Sequence, residues 1–263
     1  RALIEKLGHD HGFEHVLRGN PDCVVLASAR HGARVDVSLR LEGTGFLLVA
    51  QAATPALLPE MQQSFATAQQ ADGFVALTEA DLASLLRRVA GLARALPSQA
   101  AQDFETEVSR QLAELPEGLG GTEVERLVRQ RVGQQKFRSA MLDYWGGACA
   151  VTGIALPEVL RASHAKPWAE CACDAERLDV FNGFLLIANL DALFDRFLIG
   201  FEESGALVAS SCLSNLDRSR LGLLPGMSLR WLSDSHRGYL DWHRARMQEA
   251  EERRALRVNF HGT

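Results

Sequence analysis

Along the chain, polar and apolar positions change their period several times, and each change marks an element. Residues 22–29 (DCVVLASA), 34–40 (RVDVSLR) and 45–52 are β-branched or strictly alternating, with HG and EGTG between them, so they predict three strands of a small antiparallel meander. A short helix is expected over 2–8, and further helices near 56–70 and 79–95. In the last of these Leu82, Leu85, Leu86, Val89 and Leu92 recur at helical spacing and bury one side. Residues 96–121 (LPSQAAQDFETEVSRQLAELPEGLGG) break the pattern with a polar helix punctuated by Pro97, Pro116 and a glycine-rich exit, the composition of a connector. A helix over 122–144 follows, with Thr122 expected as its N-cap and Glu125 as capping-box partner. Later, FLIGFEESGALVASS reads as a hairpin and 236–257 as a closing amphipathic helix whose Tyr239, Trp242 and Met247 face the core.

These elements predict an α+β chain in three parts. Residues 1–97 form a small antiparallel sheet with helices, a recognition or regulatory unit of unknown specificity; 98–121 form a helical linker; 122–263 form a second domain. With 47% apolar residues the chain is globular. No run approaches the roughly 18 apolar residues of a membrane span, and the first residues lack a signal-peptide pattern, so a cytoplasmic protein with no membrane partner is expected.

Charge adds a division of labour. The net charge is −5, but residues 1–120 carry 10 basic against 15 acidic side chains while 121–263 carry 18 of each. The acidity belongs to the front part, which speaks against direct phosphate binding there. Between Arg126 and Arg138 stand Arg126, Arg129, Arg131, Lys136 and Arg138 and no acid. Alone, such a run is a solvated helix face; beside a phosphodiester-cutting site it would contact DNA phosphates.

Candidate chemistry sits in 160–196. LRASH (160–164) predicts a strand, NGFLLI (182–187) a second strand opened by a tight Asn182–Gly183 turn, and NLDALFDR (189–196) the start of a helix. Histidine is a natural base near neutral pH and carboxylates are natural ligands for Mg²⁺, so one short segment holds the parts that phosphodiester hydrolysis needs. Five cysteines form no CxxC pair. Cys171 and Cys173 alone are close, and His9, Asp10, His11 and His15 make a second, N-terminal group for which a solvated junction is the commoner outcome.

CAVTGIALPEVLRASHAKPWAE followed by LDVFNGFLLIANLDALFDRFLIGF resembles the HNH (ββα-metal) endonuclease family, in particular a bacterial restriction-type branch with a SHxKPW motif. The likeness extends over about 121–245 and is densest in 161–201. It implies a C-terminal ββα-metal nuclease domain that cuts double-stranded DNA with Mg²⁺ or Mn²⁺. It implies His164 as general base and Asn182 as the residue tying the loop, with Asp191 in the last, metal-binding position where the family letter is histidine. Ser163 stands where many relatives have a metal-binding Asp, and Asp195, four residues after Asp191, is a candidate helper. Lys166 and Arg161, with the basic helix, are candidate DNA contacts, and Trp168 a loop anchor. Of the CxxC pairs that hold zinc in many relatives only Cys149 remains. No structural zinc is expected, and an apolar core of Trp145, Leu185, Leu186, Leu193 and Phe194 takes its place. An added front domain resembles restriction or defence nucleases, and homodimerisation is one role open to it. The departures at 163 and 191 keep two alternatives in play, a non-catalytic DNA-binding or regulatory protein on a degenerate HNH fold and an antibacterial toxin nuclease.

Overall fold

The computed structural model describes the chain apart from residues 18–21, 41–43, 52–53, 115–120 and 261–263 and the side chains of 97–103 and 257–260. The start of the EGTG turn and the Pro116 exit of the connector lie outside the described residues. Two compact units divide between Asp103 and Phe104.

The first unit runs α1 (Ala2–Asp10), β1 (His15–Leu17), β2 (Cys23–Ala27), β3 (Arg34–Leu39), β4 (Phe46–Gln51), α2 (Leu57–Ser64), β5 (Gln69–Gln70), β6 (Gly73–Ala76) and α3 (Glu79–Ala95). Its antiparallel sheet has the order β1-β2-β3-β4-β6-β5. The alternation seen in sequence becomes one buried face, with Val24, Leu26, Val35, Val37, Leu48 and Phe74 each at most 4% exposed. Helix α3 starts with a capping box between Thr78 and Asp81 and buries Leu82, Leu85, Leu86, Val89 and Leu92. The helix expected over 56–70 ends at Ser64; the remainder turns into the β5–β6 hairpin, where Phe74 joins the core.

The second unit takes in α4 (Pro97–Ala113) from Phe104 onwards, followed by α5 (Thr122–Tyr144). From Phe104 onwards the stretch expected as a linker is part of this unit: Phe104 and Val108 form a buried cluster with Val132 and Leu178. The expected cap of α5 is replaced. Gly121, in the left-handed region at φ 152°, is the N-cap, and no side chain closes the helix start. There follow β7 (Leu160–His164), α6 (Asp174–Leu178), β8 (Gly183–Ile187), α7 (Ala188–Phe194), β9 (Ile199–Phe201), β10 (Leu207–Ala209), α8 (Asn215–Arg220) and α9 (Arg237–Phe260). Strands β7 and β8 pair antiparallel, with α5 and α7 both packed on them, which is why GFLLI is an unbroken apolar run. Beneath lies an aromatic core in which Trp145 stacks on Trp231 at 4.7 Å and Phe184 meets Phe194 and Phe201. Trp145, Leu185, Leu186, Leu193 and Phe194 are all buried. Tyr239 also reaches a polar partner, its hydroxyl donating to Asp179 at 2.9 Å.

Candidate active site

Strand, long loop, strand and helix bring the predicted residues to one place. His164 ends β7 opposite Gly183, the first residue of β8. Gly183 is therefore not part of a tight reversal: residues 165–182 connect the strands, and the glycine is required because a Cβ would lie 2.2 Å from the Ser163 carbonyl oxygen. Asn182, fully buried, ties that loop. Its Oδ1 accepts from the Lys166 N–H at 2.8 Å, and its Nδ2 faces the carbonyls of Lys166 (3.2 Å) and Glu176 (3.0 Å) and the Cys171 sulfur (3.4 Å). An amide that both accepts and donates satisfies backbone groups that would otherwise be buried without partners.

The His164 ring is fixed on three sides. It stacks on Phe137 of α5 with centroids 3.7 Å apart, meets Trp168 edge-on at 6.0 Å, and its Nε2 lies 2.9 Å from the Arg177 carbonyl oxygen. A carbonyl only accepts, so the proton sits on Nε2 and the Nδ1 lone pair has no partner among the described residues. Burial lowers the pKa of His164, opposed by the Arg177 carbonyl, and favours the neutral imidazole that a base requires. A cleft of roughly 400 Å³ opens beside the ring, bounded among others by Ser163, Trp168, Asp195, Arg196 and Phe197.

Ser163, 2% exposed, donates its hydroxyl to Asp191 Oδ1 at 2.5 Å, so the two residues flanking the base in the motif are in direct contact. Asp191 lies in the first turn of α7, where the helix dipole favours a carboxylate. Asp195 follows one turn on; burial, and then the negative charge of Asp191, push its carboxyl up to about 6, against the pull of Arg196. Two carboxylates that repel each other beside a hydroxyl suit a hard cation that keeps much of its water, as Mg²⁺ does. Among the described residues no group of three or more His, Cys, Asp or Glu side chains converges as a metal cage. The donor set thus fits an oxygen-bound cation completed by water and substrate.

The expected DNA contacts are distributed differently. Lys166 Nζ is held by both oxygens of Glu176 at 2.9 Å, and Arg161 turns back to the carbonyls of Glu158 and Leu160. On α5, Arg126 pairs with Glu123, Arg129 with Glu105, Glu125 and Asp174, and Arg138 binds the carbonyls of Leu160 and Pro157. Arg131 is exposed and Lys136 half-buried. Cys171 belongs to the Asn182 network, its thiol pushed up by burial, while Cys173 is exposed. In the first unit His9 lies 3.7 Å from Asp10, and the described residues there form no metal cluster.

Four contributors escape the motif. Phe137 and Arg177 set the orientation of the base. Gly133, inside α5, makes room for Trp168, whose ring would lie 2.1 Å from a Cβ there. A glycine in a helix interior, costing about 1 kcal/mol relative to alanine, was the available signal for that contact. His243 of α9 stacks on Phe194 at 3.9 Å, donates to its carbonyl and reaches the cleft wall.

No match among curated proteins was found for the chain. Residues 149–202, the segment carrying His164, Asn182, Asp191 and Asp195, match the model of a family described as HNH endonuclease, which supports nuclease chemistry of the kind that generally uses a divalent metal ion.

Proposed function

We propose that this protein is a metal-dependent DNA endonuclease of the ββα-metal type, with His164 as its general base. The observation that carries this reading is the tautomer lock. The Arg177 carbonyl holds the Nε2 proton and leaves Nδ1 as the acceptor of a ring that lines a cleft together with Asp195 and with Ser163, the hydrogen-bond partner of Asp191.

Nδ1 takes a proton from a water molecule as its oxygen attacks phosphorus. The P–O3′ bond breaks, the 3′ oxygen gains a proton from solvent, and the ends are 5′-phosphate and 3′-hydroxyl. Phe137, Trp168 and the Arg177 carbonyl keep the imidazole in one orientation, which removes most of the entropic cost of positioning the base. Asn182 holds the loop that carries the Arg177 carbonyl. Asp191, with Ser163 and Asp195, would hold Mg²⁺ or Mn²⁺, which neutralises charge on the phosphate and the leaving oxygen. The first unit then acts as a recognition or regulatory module, in keeping with a restriction or defence role on double-stranded DNA, acting as monomer or homodimer.

Plasmid incubated with the protein and Mg²⁺ or Mn²⁺ should be nicked or cut. Cutting that persists in His164→Ala, or in excess EDTA, overturns the mechanism. One observation favours a second reading, a non-catalytic DNA-binding protein on the same fold: the Ser163 hydroxyl already satisfies one Asp191 oxygen without any metal. Mn²⁺ binding that is lost in Asp191→Ala decides against it.

A further inference from the structure

Resting on the nuclease reading above, we propose that Arg196 is the side chain that grips the substrate phosphate in the His164 cleft. The motif gives it no role, and it stands outside the basic helix from which phosphate contacts were expected.

Four observations lead to it. Arg196 lines the same cleft as Ser163, His164 and Asp195, and among the described residues no other arginine or lysine does. Its guanidinium makes no hydrogen bond or ion pair with a described residue, and the electrostatic influence it exerts is on Asp195, within the cleft. By contrast Lys166, Arg161, Arg126, Arg129 and Arg138 are engaged with carboxylates or carbonyls of the protein itself. Finally, its backbone is held unusually firmly. After α7 the Leu198 N–H bonds the Leu193 carbonyl and the Phe197 N–H the Phe194 carbonyl, both at 2.9 Å, a Schellman-type closure. Phe197, at φ 54°, occupies the left-handed position usually given to glycine, the sole non-glycine residue to do so among the described residues. The Arg254 guanidinium then donates to the carbonyls of Arg196 (2.6 Å) and Phe197 (3.3 Å), and the Phe197 ring packs on His243 at 4.9 Å.

A strained turn clamped from a second helix, presenting an uncommitted guanidinium to the cleft of the base, has the form of a preorganised anion grip. Hydrolysis makes the choice of residue intelligible. The phosphodiester enters with one negative charge and gains another as water attacks, and a planar guanidinium donates to two phosphate oxygens at once. With the Asp195 carboxylate in the same cleft and Asp191 one helical turn before it, a cation there also offsets the repulsion that the two exert on the incoming phosphate.

The test compares wild type, Arg196→Ala, Arg196→Lys, His164→Ala and, as a matched loss of one exposed charge off the cleft, Arg220→Ala. Binding to a fluorescent DNA duplex is measured in EDTA across a salt series, and single-turnover cutting is measured with Mg²⁺. Arg196→Ala is expected to melt like wild type, to cut roughly 100-fold more slowly, and to reduce the slope of log affinity against log salt by about one phosphate contact, with Arg196→Lys intermediate. Arg196→Ala that matches Arg220→Ala in rate and slope, while His164→Ala is inactive, overturns the grip and leaves the nuclease reading intact. Cutting by His164→Ala overturns the base assignment instead. A wild-type protein that neither binds nor cuts the duplex overturns both.

Discussion

Replacing Asn182 with alanine removes the centre of the site without touching the base, and the geometry allows its cost to be worked out. The amide is fully buried, and its loss strands the Lys166 N–H and withdraws the donor shared by two carbonyls and a thiol. A buried backbone group left without a partner costs about 1–3 kcal/mol. The Lys166 N–H bears that cost in full; the Lys166 and Glu176 carbonyls add a smaller share, because the one amide group divides its two protons among them. Asn182→Ala should therefore destabilise the second unit by about 2–4 kcal/mol and free the loop that positions the Arg177 carbonyl, so that cutting falls at least as far as stability suggests. Asn182→Asp sharpens the test. The acceptor survives, but a carboxylate would face the Lys166 and Glu176 carbonyls, so its pKa is raised in the folded state. Its penalty is full above that raised pKa and recedes as pH falls through it. At pH 7 Asp should be worse than Ala, and the gap should narrow in acid. Urea unfolding read by tryptophan fluorescence isolates the right unit, since Trp145, Trp168, Trp231 and Trp242 all lie in it. An Asn182→Ala variant within 1 kcal/mol of wild type, or an Asn182→Asp variant with no pH dependence of its own, refutes this account.

Two further perturbations test the frame around the site. His236 and His243 are buried and neutral, and burial pushes each pKa down to about 4. The unfolded chain takes up these protons near 6.5, so their contribution is complete above that pH and is lost as pH falls towards 4, by up to about 3 kcal/mol each; acid unfolding of His236→Phe should start at lower pH than wild type. Gly183→Ala places a methyl group 2.2 Å from a backbone oxygen and 2.8 Å from Phe137, so it should part β7 from β8, lower the melting temperature by several degrees and abolish cutting, whereas Gly238→Ala in α9, whose Cβ meets nothing within 4 Å, should leave cutting unchanged.

What was readable in the sequence was what local pattern encodes. Helix α3 followed from five apolar residues at helical spacing, and the strand–loop–strand–helix outline followed from LRASH, NGFLLI and NLDALFDR. The failures lie where a distant partner decides. Residues 65–70 read as the tail of a helix because their propensities are ambiguous, but the β5–β6 hairpin, tied to the sheet by pairing of Phe74 with Leu48, claims Gln69 and Gln70. The basic run on α5 has no acid within it, and the pairing of its Arg129 with Glu105 and Asp174 was not readable because those partners come from α4 and α6, far away in sequence. Gly121 takes the cap of α5 because its left-handed φ is open to glycine, although Thr122 has the better capping side chain. Phe137 read as one more apolar helix residue, and only the packed structure reveals an imidazole against its face.

The two halves of the site are built to different standards, and Ser163 is where the difference can be measured. The base is over-determined: a stacked ring, an edge contact, a carbonyl and the Asn182 loop all fix it. On the metal side, two carboxylates repel each other and one of them is bonded to a serine hydroxyl at 2.5 Å. That proton must stay on the serine when a cation binds, so the hydroxyl either orients Asp191 and lends the ion a lone pair or competes with the ion for Asp191. A hydrogen bond to a charged acceptor contributes about 1.5–3 kcal/mol, enough to change metal affinity by about tenfold or more in either direction. The tight packing of Ser163 at the end of β7 favours the orienting role, because a 2%-exposed hydroxyl is shielded from water and is bonded to Asp191. Ser163→Ala should therefore weaken Mn²⁺ binding in calorimetry by about tenfold, and slow cutting at low metal while leaving the saturated rate within a few-fold of wild type. Tighter binding in Ser163→Ala would mean that the serine competes with the metal, and would remove Ser163 from the ligand set while leaving His164 and Asn182 in their roles.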